Sequence, residues 1–305
     1  MPSIRWGCRR ATEVVVALSA AAAALASTTA AAAPAASERE LSSALHAPPW
    51  RPDTEAAEEY SATRLGQISF AVRTERHLYG VAVRRAVPSA SVLKAMLLVA
   101  YLREPDVRER ALRKSDRDLL GPMIRWSDSL AATRVRDIVG NAGLVRLARR
   151  VGMRAFSTAA IWGLSRIDAA DQTLFFLEID RFVPRRHRAP AMRLLSSIVP
   201  SQRWGIAQVR PPGWGLYFKG GWGSGSGAVD HQVALLRRGG RRVSVAILTT
   251  SSPSHAYGKQ TLRRVAAALL RGLAAGPRQL QQPRGSVLGL PPYGWSRQDG
   301  ALEIG

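Results

Sequence analysis

The sequence predicts an α+β fold in which one five-stranded antiparallel sheet is assembled from both ends of the chain. Strand-like apolar segments lie near the start and near the end, at residues 67–73, 78–84, 215–219, 228–237 and 242–250. Between the two groups, residues 106–204 show helical spacing broken by glycine and proline. We therefore expect helices to flank the sheet and an all-α subdomain to be inserted in the middle of the chain.

Capping signals and periodicity define the first elements. Asp53 is a good N-cap for a helix at residues 54–65, and Gly66 can end it. A tight turn at residues 74–77 joins the first two strands. Residues 89–102 are apolar on every side, which is typical of a fully buried helix.

Three helices are predicted in the middle of the chain, and a hairpin and a helix near its end. The three helices lie at residues 128–139, 142–151 and 168–182, with breaks at Gly140, Gly152 and Pro184. Gly239 and Gly240 supply the turn of the hairpin, and residues 257–273 form an amphipathic helix. The predicted domain spans residues 53–275, with an α/β part at 53–105 and 205–275 and a helical part at 106–204.

The N-terminus has the pattern of an export signal. Three arginines precede an apolar run at residues 14–26, and small residues that suit cleavage follow. Residues 1–33 are therefore predicted to be a signal peptide, with an uncleaved membrane anchor as the alternative. The protein is predicted to be secreted. Residues 34–52 are predicted to be a linker and residues 276–305 a disordered tail.

Composition and charge exclude several classes of protein. The chain has 44 Lys and Arg against 22 Asp and Glu, and 46% of its residues are hydrophobic, which excludes a disordered or collagen-like chain. The arginines are scattered without a nucleic-acid-binding motif, so no specific nucleic acid is expected. Such a surface would still attract anionic cell-envelope polymers or lipid headgroups. The one cysteine, Cys8, falls in the signal, and the histidines lack metal-ligand spacing, so no metal or cofactor is predicted.

Ser91 and Lys94 form the first candidate catalytic pair. A spacing of three residues places the hydroxyl and the amine on one helix face, one turn apart. The apolar residues 95–100 would desolvate the ammonium and lower its pKa, so that Lys94 could take a proton from Ser91. The helix N-terminus would favour negative charge on a reacting carbonyl. By itself the motif is weak, because a lysine within a helix usually reaches the surface.

Two further motifs follow along the chain. Residues 127–129 read Ser-Asp-Ser and lie where a polar turn enters a helix. By themselves they are an N-cap, in which Asp128 or Ser127 accepts from the first-turn N–H groups. Residues 219–222 read Lys-Gly-Gly-Trp at the end of a predicted strand. Two glycines there would let a substrate peptide lie against the strand edge, and an ordinary glycine-rich turn is the alternative.

In this order the three motifs resemble the signature of the penicillin-recognising serine hydrolases, the class A β-lactamases and DD-peptidases: S-x-x-K, then S-D-N, then K-T-G. The resemblance covers about residues 53–273 and implies the β-lactamase/DD-peptidase-like form of the α+β fold. It implies that Ser91 is the acylated nucleophile and Lys94 its general base. It also implies that Ser127 is the proton shuttle to the leaving nitrogen.

The same resemblance assigns the substrate-binding side. It implies that Lys219 is the cation near a substrate carboxylate, and that the backbone N–H groups of the nucleophile and of Trp222 form the oxyanion hole. Ser129 replaces the Asn of the second motif, and its shorter hydroxyl is less suited to hold the acyl-side amide. Gly220 replaces the Thr of the third motif and removes a hydroxyl near the carboxylate, while Gly220 and Gly221 keep the strand edge open.

The glutamate that activates the deacylating water in the family's β-lactamases has no evident counterpart. Residues 153–166 carry no carboxylate, and Asp168 and Asp171 are expected to be an N-cap and a first-turn acid. Glu178 lies inside a predicted helix. Acylation is therefore better supported than turnover.

The predicted function is that of a secreted serine hydrolase that forms an acyl-enzyme at Ser91 and hydrolyses β-lactams or related amides. The chain layout favours a class A-like β-lactamase, and the missing glutamate favours a D-alanyl-D-alanine peptidase or esterase. A third alternative is a catalytically weakened protein that binds cell-wall peptide. The expected partner is a β-lactam or a peptidoglycan stem peptide, and the protein is expected to be a monomer.

Overall fold

One antiparallel sheet organises the fold in the computed structural model, which describes residues 50–223, 225 and 227–273. The five strands are β1 (Gln67–Arg73), β2 (Leu78–Val81), β5 (Gly215–Gly223), β6 (Val229–Arg238) and β7 (Arg241–Thr250). They are arranged in the order β2-β1-β7-β6-β5, and every neighbouring pair is antiparallel. A second, two-stranded ladder joins β3 (Val87–Pro88) to β4 (Arg166–Ile167). The predicted five-stranded sheet built from both ends of the chain is confirmed.

Nine α-helices lie within the described residues. They are α1 (Thr54–Ala62), α2 (Leu93–Leu102), α3 (Pro105–Arg108), α4 (Lys114–Arg125), α5 (Ser129–Val151), α6 (Ala169–Leu177), α7 (Ile179–Phe182), α8 (Arg188–Ser196) and α9 (His255–Leu269). The helix α9 packs on β6 and β7 and against α1, and α6 packs on β1, β6 and β7. The helix α2 packs against α5, and the helical middle of the chain contacts the sheet through α6 and through α8, which packs on β5.

The helix α2 is the most deeply buried element. All ten of its residues are buried, as the absence of a polar face predicts. Burial of each large apolar side chain contributes about 1.5–3 kcal/mol, so α2 holds the surrounding helices together. Lys94 is the one charged residue in this helix and is fully buried.

Several element boundaries differ from the predicted ones because the local backbone leaves the regular region. The strand β2 ends at Val81, since Ala82 has a φ of 48° and starts a turn. The two helices predicted on either side of Gly140 form one element, α5, with a kink at that glycine, where φ is 64°. The segment predicted as a helix from residue 89 starts as a short 3₁₀ turn, Ala90–Val92, before α2.

The boundaries of three other elements also differ from the predicted ones. The strand β5 continues to Gly223 instead of ending at residue 219, because its pairing with β6 continues through the two glycines. The last helix begins at His255, where Ser254 caps it by accepting a hydrogen bond from the backbone N–H of Tyr257. The helix predicted over residues 168–182 is divided into α6 and α7 at Glu178.

Three aspartates cap helices: Asp53 and Asp168 as the sequence predicts, and Asp128 where the sequence leaves Asp128 and Ser127 as alternatives. Asp53, Asp128 and Asp168 each accept a hydrogen bond from a backbone N–H in the first turn, of α1, α5 and α6 respectively. Each cap satisfies a donor that has no partner within its helix.

Asp171 anchors the segment that leads from α5 to β4. Its buried carboxylate accepts hydrogen bonds from the backbone N–H groups of Arg154 and Ala155, both at 2.7 Å. It also forms an ion pair with Arg84, with an Nη1–Oδ1 distance of 2.6 Å. One carboxylate therefore joins the 153–156 backbone, α6 and the turn after β2.

We expect Asp171→Ala to lower the free energy of unfolding by about 2–4 kcal/mol, because two backbone N–H groups and a guanidinium lose their acceptor. The matched control is Asp118→Ala, which removes an exposed i,i+4 pair with Lys114 and should cost about 0.5 kcal/mol or less. Denaturant unfolding of both variants measures the difference. Equal effects would show that Asp171 does not anchor this segment.

The predicted signal peptide (1–33), all but the last residues of the predicted linker (34–52) and the predicted tail (276–305) lie outside the described residues. The proposed domain boundaries stay predictions. Among the residues that are described, none of the helices is long and apolar enough to cross a membrane.

Candidate active site

Four separate elements carry the eight residues that the sequence singles out. Ser91 lies in the 3₁₀ turn and Lys94 in the first turn of α2. Ser129 is the first residue of α5, and Ser127 lies just before the N-cap of that helix. Lys219, Gly220, Gly221 and Trp222 are consecutive residues of β5. The site therefore lies where the N-termini of two helices meet the edge strand of the sheet.

The side chains of three predicted site residues meet at the hydroxyl of Ser127. Lys94 Nζ lies 3.2 Å and Lys219 Nζ lies 3.0 Å from Ser127 Oγ. A serine hydroxyl accepts two hydrogen bonds and donates one. With both lysines donating, the Ser127 O–H is free to donate to a third group.

Ser129 and two backbone carbonyls complete the surroundings of the lysines. Lys94 Nζ also donates to the carbonyl of Ser127 and lies 3.4 Å from Ser129 Oγ. Lys219 Nζ donates to the carbonyl of Gly220 at 2.8 Å. The Ser129 hydroxyl thus reaches Lys94, although it is shorter than an asparagine side chain.

Burial lowers the pKa of both lysines. Desolvation in the interior lowers the pKa of Lys94 to about 8, and the nearby carboxylate of Asp128 opposes that shift. Full burial, with the charge of Lys94 in addition, holds the pKa of Lys219 well below its ordinary value. Two ammonium groups that share one hydroxyl repel each other, so the site favours one charged and one neutral amine.

Ser127 has a backbone conformation that L residues rarely adopt. Its φ is 59°, in the left-handed region, while Asp128 provides the N-cap of α5. A residue held in this region stores of order 1–3 kcal/mol of strain, which the surrounding structure must offset. In this conformation Ser127 Oγ lies between the two lysines.

Ser91 faces the edge strand through its backbone. A Cβ atom on Gly221 would lie 2.9 Å from Ser91 N and 2.8 Å from Val92 N, closer than real Cβ atoms come. Glycine at 221 therefore allows β5 to approach the backbone of Ser91. Within the described part of the chain, the side chains of Ser91 and Lys94 share no hydrogen bond, although they lie one turn apart.

Gly220 has its own close neighbour, the indole of Trp204. A Cβ on Gly220 would lie 3.1 Å from Trp204 Cη2, so the ring occupies the space that a side chain at 220 would need. Trp204 also packs edge-on against Trp222, with ring centroids 5.9 Å apart. The Trp204 contact was not evident from the sequence, because nothing in the chain around residue 204 indicates what it packs against.

Residues 108–273, more than half of the chain, match the family model described as "Beta-lactamase enzyme family". The chain belongs to this beta-lactamase family. The match includes the second and third motifs and ends beyond α9. It confirms the predicted resemblance, and no curated protein matches the sequence.

Solved structures give the same fold. The protein is similar to a beta-lactamase from Sphaerobacter thermophilus, with a TM-score of 0.64 and 20% identity over 73% of this chain and 98% of that one. It is also similar to a class A beta-lactamase from Mycobacterium abscessus, with a TM-score of 0.63 and 18% identity over 73% of this chain and 100% of that one. A third similar structure, a beta-lactamase from Desulfarculus baarsii, has a TM-score of 0.62 and 18% identity, over 73% and 97% of the two chains. At these identities the similarity shows the fold.

The carboxylates nearest in sequence to the 153–166 segment of this beta-lactamase family member have structural partners. Asp168 is fully buried, caps α6 and pairs with Arg84, and Asp171 anchors the backbone before β4. Glu178 pairs with Arg181 on the same stretch of chain. None of the three is left without a cation or a backbone donor.

His231 supports the Ser91 region and was not singled out in the sequence. The imidazole is fully buried in β6, accepts a hydrogen bond from Thr249 N at Nδ1, and therefore donates from Nε2 to the carbonyl of Pro88 at 2.9 Å. This bond joins β6 to the segment that enters the 3₁₀ turn. The one sequence signal for this structural role of His231 is the presence of a histidine within an apolar strand.

Burial lowers the pKa of His231 to about 4, so folding requires its neutral form. Because the unfolded chain binds this proton at about pH 6.5, stability is lost as the pH falls from 6.5 towards 4. When the pH falls from 7 to 4.5, this titration lowers the unfolding free energy of the natural protein by about 2–3 kcal/mol. We expect the unfolding free energy of His231→Gln to fall by that much less over the same pH range. The control is His77→Gln, at an exposed histidine, and equal acid sensitivity in both variants would contradict this assignment.

Proposed function

We propose that this member of the beta-lactamase family is an exported serine hydrolase that forms an acyl-enzyme at Ser91. The observation that carries the proposal is the position of Ser127 Oγ within 3.2 Å of Lys94 Nζ and 3.0 Å of Lys219 Nζ, next to the turn that holds Ser91. The pattern of residues 1–33 supports export. The substrate class is a β-lactam or a related amide of the cell wall.

The proposed first step is attack of Ser91 Oγ on the substrate carbonyl carbon. Neutral Lys94, whose pKa burial lowers to about 8, takes the hydroxyl proton. The backbone N–H groups of Ser91 and Trp222 stabilise the oxyanion, and the close approach of β5 at Gly221 supports that pairing. A helix N-terminus at the same place adds a favourable dipole.

The proposed second step breaks the carbon–nitrogen bond of the substrate. Ser127 donates its O–H proton to the leaving nitrogen and receives a proton from Lys94, so that charge and protons balance. Lys219 holds the Ser127 hydroxyl from the other side. A substrate carboxylate beside Lys219 supplies the opposite charge that its buried amine lacks, and so favours the protonated form that binds the carboxylate. Water then hydrolyses the Ser91 ester and releases the acid.

The test is the intact mass of the protein after incubation with a fluorescent penicillin. We expect an adduct on the natural protein and on Ser196→Ala, which alters an exposed serine of α8, and none on Ser91→Ala. An adduct that persists on Ser91→Ala, or no adduct on the natural protein, would contradict acylation by β-lactams at Ser91.

A D-alanyl-D-alanine peptidase is the second candidate. It is favoured because Asp168 and Asp171 form ion pairs with Arg84, and Glu178 forms one with Arg181. These pairs leave no carboxylate of this stretch to activate water. This candidate predicts that the penicilloyl adduct remains for many minutes after excess penicillin is removed. Rapid recovery of the unmodified mass would favour a β-lactamase instead.

A further inference from the structure

A groove separate from the candidate active site lies between α4 and α8. Its volume is about 600 Å³, within the range of ~300–1,000 Å³ of small-molecule sites. Its apolar lining includes Leu112, Leu120, Pro190 and Leu194. None of the eight candidate active-site residues lines it.

Four arginines surround this groove: Arg117, Arg125, Arg186 and Arg193. No Asp or Glu is among the lining residues that the structure describes, whereas arginines elsewhere in the fold pair with buried carboxylates, as Arg110 does with Asp116. The groove therefore combines an apolar lining with a concentrated positive charge.

The guanidinium groups have hydrogen-bond donors to spare. Arg117 donates to the carbonyl of Leu112 and Arg125 to that of Ser197, and each guanidinium has five N–H donors in all. In the described part of the chain, the side chains of Arg186 and Arg193 make no hydrogen bond or ion pair. Arg186 and Arg193 are exposed to solvent, so an anion in the groove would replace water as the acceptor of their hydrogen bonds.

We propose that this groove binds a single-chain anionic amphiphile, an alkyl chain that carries a phosphate headgroup. The planar guanidinium fork binds phosphate oxygens in pairs, and the apolar lining buries the chain. Phosphate alone would leave the apolar lining exposed, and a cationic amphiphile would meet four arginines. The site is independent of the proposed acylation chemistry, because the two sets of residues do not overlap.

The test is calorimetric titration of the full chain with alkyl phosphates below their critical micelle concentrations. We expect decyl phosphate to bind about tenfold more tightly than octyl phosphate, since each buried methylene adds roughly three- to fourfold in affinity. Inorganic phosphate and decyltrimethylammonium are expected to bind at least 100-fold more weakly than decyl phosphate. Equal binding of octyl and decyl phosphate, or of the cationic amphiphile, would overturn the proposal.

A matched pair of variants separates this site from the general positive charge of the protein. The variant R186Q/R193Q removes two groove arginines, and R263Q/R264Q removes two exposed arginines of α9, so both lose the same net charge. We expect the first to weaken decyl phosphate binding at least tenfold and the second less than twofold. Equal losses, or binding only to vesicles of anionic lipid, would indicate a non-specific basic surface and overturn the groove assignment.

Discussion

Lys94→Met is expected to lower the rate constant for acylation of Ser91 by about 10²- to 10⁴-fold, the usual contribution of a general base. Methionine keeps the length and the apolar stem of the lysine but cannot take a proton. Because Lys94 is fully buried and its ammonium is desolvated, the folded protein should tolerate this change. Stopped-flow acylation with a chromogenic cephalosporin or a fluorescent penicillin measures the rate.

The pH dependence tests the same role of Lys94. Its pKa of about 8 means that the neutral amine is the minor form at pH 6 and the major form above pH 8. The acylation rate of the natural protein should therefore rise about tenfold per pH unit below 8 and level off above it. The control is Lys114→Met, at an exposed lysine paired with Asp118, which should leave the rate and its pH profile unchanged. If Lys94→Met keeps the natural rate, Lys94 is not the base.

Gly221→Ala is expected to reduce acylation at least tenfold and to lower the free energy of unfolding by about 1–3 kcal/mol. The added Cβ would lie within 2.9 Å of Ser91 N and Val92 N, and backbone atoms cannot rotate away as a side chain can. The edge strand β5 must therefore move away from the turn that carries Ser91. That movement would separate the two N–H groups proposed for the oxyanion hole. In other serine hydrolases, the loss of one oxyanion-hole donor lowers the rate by roughly 10²–10³.

The matched control is Gly121→Ala, in α4 and outside the candidate active site. An added Cβ at residue 121 would meet no atom within 4 Å. We expect an unfolding free energy within about 1 kcal/mol of the natural protein and an acylation rate within about twofold of it. Thermal unfolding and acylation are measured on both variants, and similar losses at residues 121 and 221 would remove the special role assigned to Gly221.

The elements of this fold were largely predictable because their signals are local. Asp53, Asp128 and Asp168 cap helices as their positions indicated, and the all-apolar segment after Ser91 forms the buried helix α2. Boundaries were less predictable where single residues take a positive φ, as Ala82 does at the end of β2. The sequence pattern contains no signal for such a turn when the residue is not glycine or asparagine.

The contacts of the site depended on the tertiary structure. Ser127 lies 33 residues from Lys94 and 92 residues from Lys219 along the chain, yet one hydroxyl joins both amines. His231 reaches Pro88 over 143 residues. Such distances come from the strand order and register of the sheet, which local propensity does not encode.

By itself, the sequence determined the class of fold, the order of the three motifs and the type of each functional group, because periodicity, caps and spacing act within a few residues. Only the tertiary structure decided that both lysines share Ser127, that Gly221 allows β5 to approach Ser91 and that Trp204 covers Gly220. The sequence predicted that the pKa of Lys94 is lowered, and the tertiary structure decided by how much, since desolvation depends on everything packed around the amine. The physical reason is that these contacts arise from packing between distant segments, whose free energy is set by the whole fold.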